Sequence, residues 1–273
     1  MSALSSGEAG DHSNETGPMP LPLPPQFLTP AEHRGETVIL ASYPRSGNSL
    51  LRGLLEKCTG VVTGSDTLPQ RTLSQALQRA GARGEGVIDG RAWVVKSHYP
   101  ERRGHARLPC DRAILLVRNV WDVVDSYFNM TLTNSRGAAR SRRLREMRLL
   151  RRAARARSRT PRRHFGGHSR PRRHDTTMSS ADYERFAELF RDLAAAEARV
   201  WRDFNRWWLR APVPLLVVRY EDLIEHRDRT LRRVAWFLRK ERPLEGTPWA
   251  DRVDAAAAGD GAAAGFYAPR RGG

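Results

Sequence analysis

Long apolar runs are missing from this chain of 273 residues. No stretch approaches the roughly 18 apolar residues that a membrane-crossing helix needs. The N-terminus has no cationic start leading into an apolar core, so the sequence predicts no secretory leader and a soluble chain. Cysteine is scarce: Cys58 and Cys110 are the only two. They cannot make a disulfide framework for a chain of this size, and the count suits a reducing compartment. His, Cys, Asp and Glu nowhere cluster at ligand spacing, so no metal is expected. Acidic residues are outnumbered by basic ones, and the net charge is +17. That sum is misleading, because the stretch from Arg136 to His174 holds 16 arginines against a single acid, Glu146. Nearly all the basicity belongs to one segment. Aromatics, which a base-stacking surface needs, are almost absent there: Phe165 is the only one.

What is present suffices for one sizeable α/β domain, with 40% hydrophobic residues, near the globular norm. Residues 1–35 are rich in Ser, Gly, Glu and Pro and read as a disordered lead-in. The domain is expected over 36–245, interrupted by an Arg-rich, disordered insertion at 136–178, and 246–273 reads as an Ala/Gly-rich tail. Within the domain, Thr37–Ser42, Ala92–Lys96, Ala113–Arg118 and Pro214–Tyr220 are apolar, β-branched runs that read as buried strands. Helices are expected from Asn48 to about Cys58, with Asn48 or Ser49 near the N-cap, then from about Val120 to Met130, from about Ser180 to Leu209, and from Arg227 to about Leu238. Strands alternating with helices predict a three-layer α/β domain with a central, mostly parallel sheet flanked by helices.

Three segments carry chemistry. The first, Tyr43-Pro44-Arg45-Ser46-Gly47-Asn48-Ser49, joins a strand to a helix N-terminus. There, backbone N–H groups and the helix dipole converge on an anion. Arg45 adds a fixed cation, Ser46 and Ser49 add hydroxyls, and Gly47 lets the backbone approach a ligand closely. Taken alone, this is equally the mark of an ordinary strand-to-helix turn. Nucleotide triphosphate hydrolysis is disfavoured, because that P-loop demands a lysine directly after its second glycine and Asn48 stands there. The second segment runs from Arg118 to Tyr127, again at a strand-to-helix junction, with Ser126 two helical turns beyond Arg118. The third is Lys96-Ser97-His98-Tyr99-Pro100 at a strand end, where a neutral imidazole could take a proton near pH 7.

Together these segments resemble the PAPS-dependent sulfotransferases, where PAPS is 3'-phosphoadenosine-5'-phosphosulfate. The first is similar to that superfamily's 5'-phosphosulfate loop, written Y-P-K-S-G-T-T in cytosolic members. Arg in the lysine position, Asn after the glycine, and the continuation Cys58 to Ser65 resemble the branch of the sulfotransferase domains of WSC-domain proteins. The second resembles R-N-P-K-D-x-x-x-S, and the third K-T-H-x-P. The resemblance implies a P-loop-like fold and Arg45, Ser46, Gly47, Asn48 and Ser49 at the 5' end of the donor. It also implies Arg118 and Ser126 at the 3'-phosphate, His98 as general base, and Arg45 and Lys96 as catalytic cations. Tyr220, in Tyr220-Glu221-Asp222-Leu223, would approach the adenine. PAPS would be the donor, 3',5'-bisphosphate the product, and no metal would be needed.

The chain departs from the pattern in three places. The tryptophan that stacks on adenine in cytosolic members falls at Leu50, no C-terminal R-K-G-x-x-G-x-W segment is reproduced, and Arg136 to His174 interrupts the region where relatives commonly shape acceptor binding. The acceptor, a hydroxyl or amine of a glycan, protein or small molecule, is not legible. A nucleotide-binding but inactive protein, or an RNA-binding protein acting through residues 136–174, are the rival readings. The Arg-rich segment suits an acidic polymer as partner. Without a leader the cytoplasm is expected, with the Golgi lumen as the alternative if the N-terminus is incomplete.

Overall fold

The computed structural model describes residues 24–68, 72–79, 81–100, 107–133 and 180–259. The readings for 1–23, for the Arg-rich stretch 136–174 and for 260–273 lie outside the described residues. In chain order the elements are β1 (Val38–Ser42), α1 (Asn48–Thr59), β2 (Gly64–Ser65), α2 (Thr72–Arg79), β3 (Val94–Ser97), β4 (Arg112–Val117), α3 (Val120–Thr133), α4 (Ser180–Arg185), α5 (Ala187–Leu209), β5 (Leu215–Arg219), α6 (Tyr220–Glu225), α7 (Arg227–Leu238) and α8 (Pro248–Ala258).

The five strands form one sheet in the order β2-β3-β1-β4-β5, every pair parallel. All five residues of β1 are buried, as befits a central strand covered on both faces. Val38 and Leu40 join Leu50, Leu51, Leu54 and Leu55 of α1 in a core completed by α7 and α8. Ile39 and Ala41 turn the other way, towards Val123 of α3 and Phe204 and Trp208 of α5. Each fully buried Leu or Ile contributes about 1.5–3 kcal/mol. The expected central parallel sheet with helices on both faces is therefore the fold of this chain.

Several elements differ from expectation. The N-cap of α1 is Gly47, not Asn48 or Ser49, and its left-handed φ of 96° suits glycine alone. The long helix expected from 180 to 209 breaks at Phe186, whose φ and ψ are −115° and 18°. The region read as a tail contains α8, opened by Pro248 at its first turn, with Val253 and Ala256 buried against α1 and α7. Alanine-rich sequence reads as low complexity, yet alanine is the best helix former. Packing also begins before residue 36: Gln26 N–H donates to the Gly60 carbonyl at 3.0 Å, and Leu28 is buried. Among the described residues, no helix is long and apolar enough to cross a membrane.

Candidate active site

Three neighbouring strands, β1, β4 and β5, deliver their chain to a helix at the same edge of the sheet. Parallel order makes this inevitable, and it gathers residues far apart in sequence. From β1, Tyr43 is buried, and its hydroxyl donates to Glu197 of α5. Ser46 N–H donates to the Tyr43 carbonyl at 3.2 Å, closing the turn. Arg45 within it has φ 72°, a left-handed conformation that an ordinary residue adopts at a cost of about 1–2 kcal/mol. The cost is met by its neighbours: Arg45 Nε donates to Ser126 Oγ at 3.0 Å, and Arg118 Nη1 donates to the Arg45 carbonyl at 3.2 Å. The first and second segments thus lock into one another. Ser126 lies against Arg45, and Arg118 reaches the same residue from the backbone side.

Tyr220 opens α6 with its ring between the two segments. Its Cδ2 lies 2.3 Å from where a Cβ on Gly47 would stand, so Gly47 is required by space as well as by φ. The Arg118 guanidinium carbon sits 4.5 Å from the Tyr220 ring centroid, a cation–π contact. Asn119 N–H donates to Glu221 at 2.8 Å, tying the starts of α3 and α6 together. Asn119 Oδ1 in turn accepts from Trp121 N–H at 2.9 Å. Among the described residues, Ser42 Oγ at the end of β1 is buried without a hydrogen-bond partner, and so are two donors beside Arg45: Ser46 Oγ and Arg118 Nε. Each of these two belongs to a residue one bond from Arg45, the first covalent, the second a hydrogen bond. Buried donors are costly unless an acceptor from outside the chain meets them. Asn48 and Ser49 sit in the first turn of α1, joined by a 3.4 Å contact between Ser49 Oγ and Asn48 Oδ1. Leu50 is wholly buried in the core, so no side chain there can stack on a base.

His98 lies just beyond β3. Its Nδ1 is 2.5 Å from the Ser42 carbonyl oxygen. A carbonyl accepts only, so Nδ1 carries the proton and Nε2 holds the lone pair of the neutral ring. That places the imidazole beside the end of β1, where the turn from Tyr43 to Ser49 begins. Lys96 is buried within β3, and its Nζ donates to Thr67 Oγ1 at 2.7 Å. Neither cysteine is poised as a nucleophile: burial pushes both thiols up, Cys58 to about 12. Among the described residues, no group of three or more His, Cys, Asp and Glu could hold a metal ion.

Sequence reasoning missed the groups behind these residues. Arg52, in the second turn of α1, is fully buried. Its Nε and Nη2 donate to Thr63 Oγ1 and Thr63 O at 3.0 and 3.1 Å, and its Nη1 pairs with Glu85. Glu56, one turn on, accepts from Thr63 N–H and Oγ at 2.9 and 2.6 Å. The four-residue spacing of Arg52 and Glu56 was the available signal, but charges on a helix normally mark its wet face.

The chain matches the family model described as "Sulfotransferase domain" over residues 36–250. It is 28% identical over 203 residues to WSCD family member GA21586 of Drosophila pseudoobscura pseudoobscura, covering 73% of this chain and 49% of that protein. The same figures hold for WSCD family member CG9164 of Drosophila melanogaster. WSCD family member AAEL009094 of Aedes aegypti is 37% identical over 94 residues, 34% of this chain and 27% of its own. The chain therefore spans about half the length, or less, of the curated relatives it matches. Among solved structures, mouse sulfotransferase SULT7A1 complexed with PAP aligns over 82% of this chain and 64% of its own, at 15% identity and a TM-score of 0.40. The match over most of the chain, on a parallel sheet whose loop edge gathers Arg45, Arg118 and Ser126, makes this chain a member of the sulfotransferase domain family, resembling the WSCD proteins.

Proposed function

We propose that this chain transfers a sulfuryl group from PAPS to a hydroxyl or amine of an acceptor. The observation that carries the reading is the junction of Arg45, Ser126 and Arg118, a cationic cradle with buried donors left over. PAPS would bring the sulfuryl group and leave as 3',5'-bisphosphate. Around it, Ser46, Gly47, Asn48 and Ser49 would present hydroxyls and helix N–H groups to the 5' end, and Arg118 with Ser126 would meet the 3'-phosphate. Tyr220 would border the nucleotide.

His98 Nε2 would take the acceptor's proton as the acceptor oxygen or nitrogen bonds to sulfur and the sulfur–oxygen bond to the 5'-phosphate breaks. Arg45 would neutralise the charge growing on that oxygen. Arginine does not give up its proton, so it acts by charge and paired hydrogen bonds alone. Lys96, held by Thr67, would add a second positive charge nearby. Residues 136–174 would recruit an acidic polymer to the same protein.

The test is a thermal shift. Ligand at one hundred times its Kd stabilises by about 2.7 kcal/mol, so 3',5'-bisphosphate should raise Tm by several degrees while 5'-AMP does little. Equal responses would remove the 3'-phosphate site. Transfer of labelled sulfate to a panel of glycans, peptides and small alcohols, abolished by His98→Ala, would then establish turnover.

A further inference from the structure

The turn that carries His98 is pinned on both flanks by groups the proposed chemistry does not use. Ser97 precedes the imidazole and is 2% exposed. Its Oγ accepts Tyr99 N–H at 2.9 Å and donates to Asp66 Oδ2 at 2.6 Å. On the far flank, the Tyr99 carbonyl accepts Trp208 Nε1–H at 2.8 Å. Asp66 is itself fixed, because its N–H donates to the Lys96 carbonyl at 3.0 Å at the end of β2. The next residue, Thr67, takes the Lys96 ammonium. Residues 66 and 67 therefore hold the two side chains immediately before His98.

A hydroxyl has one proton. When Ser97 gives that proton to a carboxylate, its lone pairs are left to receive Tyr99 N–H, and the three-residue turn keeps one shape. In a buried setting such a charge-assisted bond is short and strong. We propose that Asp66 is a positioning residue for His98: through Ser97 it fixes the turn 97–99, keeps Nδ1 on the Ser42 carbonyl, and so keeps the proton-accepting lone pair on Nε2. The inference rests on the reading of His98 as the base. It adds a residue from the β2 edge, outside the three segments that resemble the family's motifs.

Two measurements test it in the full chain. The first needs no turnover: 15N chemical shifts of the imidazole nitrogens report the tautomer, with the His98 signal assigned by its loss in His98→Gln. Wild type should show the Nδ1–H form. Asp66→Ala should shift His98 towards a mixture of tautomers, whereas Asp66→Asn, which keeps an acceptor oxygen, should restore most of the wild-type signature. The second is kinetic. Because a positioned general base contributes about 10²–10⁴-fold, Asp66→Ala should lower kcat by about 100-fold with the KM for PAPS within about threefold, and Asp66→Asn should recover most of it. If Asp66→Ala does not fold, Ser97→Ala removes the same pin from its other end and should give the same tautomer shift. A His98 tautomer unchanged in Ser97→Ala and in any folded Asp66→Ala overturns the proposal. If wild type transfers sulfate to no acceptor, the base reading falls while the NMR result still decides whether Asp66 sets the tautomer.

Discussion

Arg52 on the flank of α1 carries its guanidinium out of water, Arg118 at the loop edge only in part, and their surroundings differ. Around Arg52 the accounting is complete: Thr63 takes two N–H groups, and the Glu85 carboxylate is buried alongside with only 1% of either side chain exposed. Around Arg118 it is not. That side chain is 23% exposed, rests on the face of Tyr220, and has no acceptor for Nε among the described residues. Its nearest carboxylate, Asp122, stands 4.0 Å away. Desolvating a charge is costly in either place. In the first the fold supplies the opposite charge; in the second the described residues supply none so close, and under the proposed function a phosphate of the nucleotide would take that place.

The comparison can be broken by substitution. The largest effect is expected at Arg52→Ala, which strands Glu85 in the interior and should cost about 3–5 kcal/mol of stability. Denaturant midpoints would show it, and a loss below about 1 kcal/mol would mean the pair is not the buttress it resembles. Arg118→Ala should do the reverse. Stability should stay within about 1 kcal/mol of wild type, while binding of 3',5'-bisphosphate should weaken by about 1.5–3 kcal/mol, or some 10- to 100-fold by calorimetry. A matched loss for 5'-AMP would place Arg118 elsewhere on the nucleotide. Gly47→Ala combines a left-handed backbone with a Cβ inside the Tyr220 ring, and should cost about 1–3 kcal/mol and erase the bisphosphate-induced rise in Tm. Smallest of all is Arg232→Ala. Its bonds to Asp228 and Asp254 lie on the surface, with side chains 38–59% exposed, so the change should stay within about 1 kcal/mol and leave ligand binding untouched.

How far these features could be read from sequence follows from the physics of each. The strands β1, β3, β4 and β5 announce themselves because parallel, doubly covered strands must be continuous apolar runs. β2 is two residues, Gly64 and Ser65, with no periodicity to detect. The turn from Arg45 to Ser49 was legible as a strand-to-helix junction because glycine and hydroxyls cluster there before an apolar helix face. The bond from Arg45 to Ser126 was not, since it depends on β1 and β4 being neighbours in space. Nor was Asp66, a lone acid after a Gly-Ser pair whose meaning appears only when β2 lies beside β3. Sequence patterns report which way a side chain faces, whereas the second layer of a site depends on which strangers it meets.

Tyr183 ties together helices that lie far apart in sequence. Its hydroxyl bonds to Asp125 and takes a 3.1 Å bond from Asn129, and its ring packs on Phe128 and Phe190. These contacts staple α4 and the start of α5 to the later turns of α3, across sequence separations of 54 and 58 residues. The helix that carries Ser126 is thus clasped on its later turns as well as joined to β4 at its start.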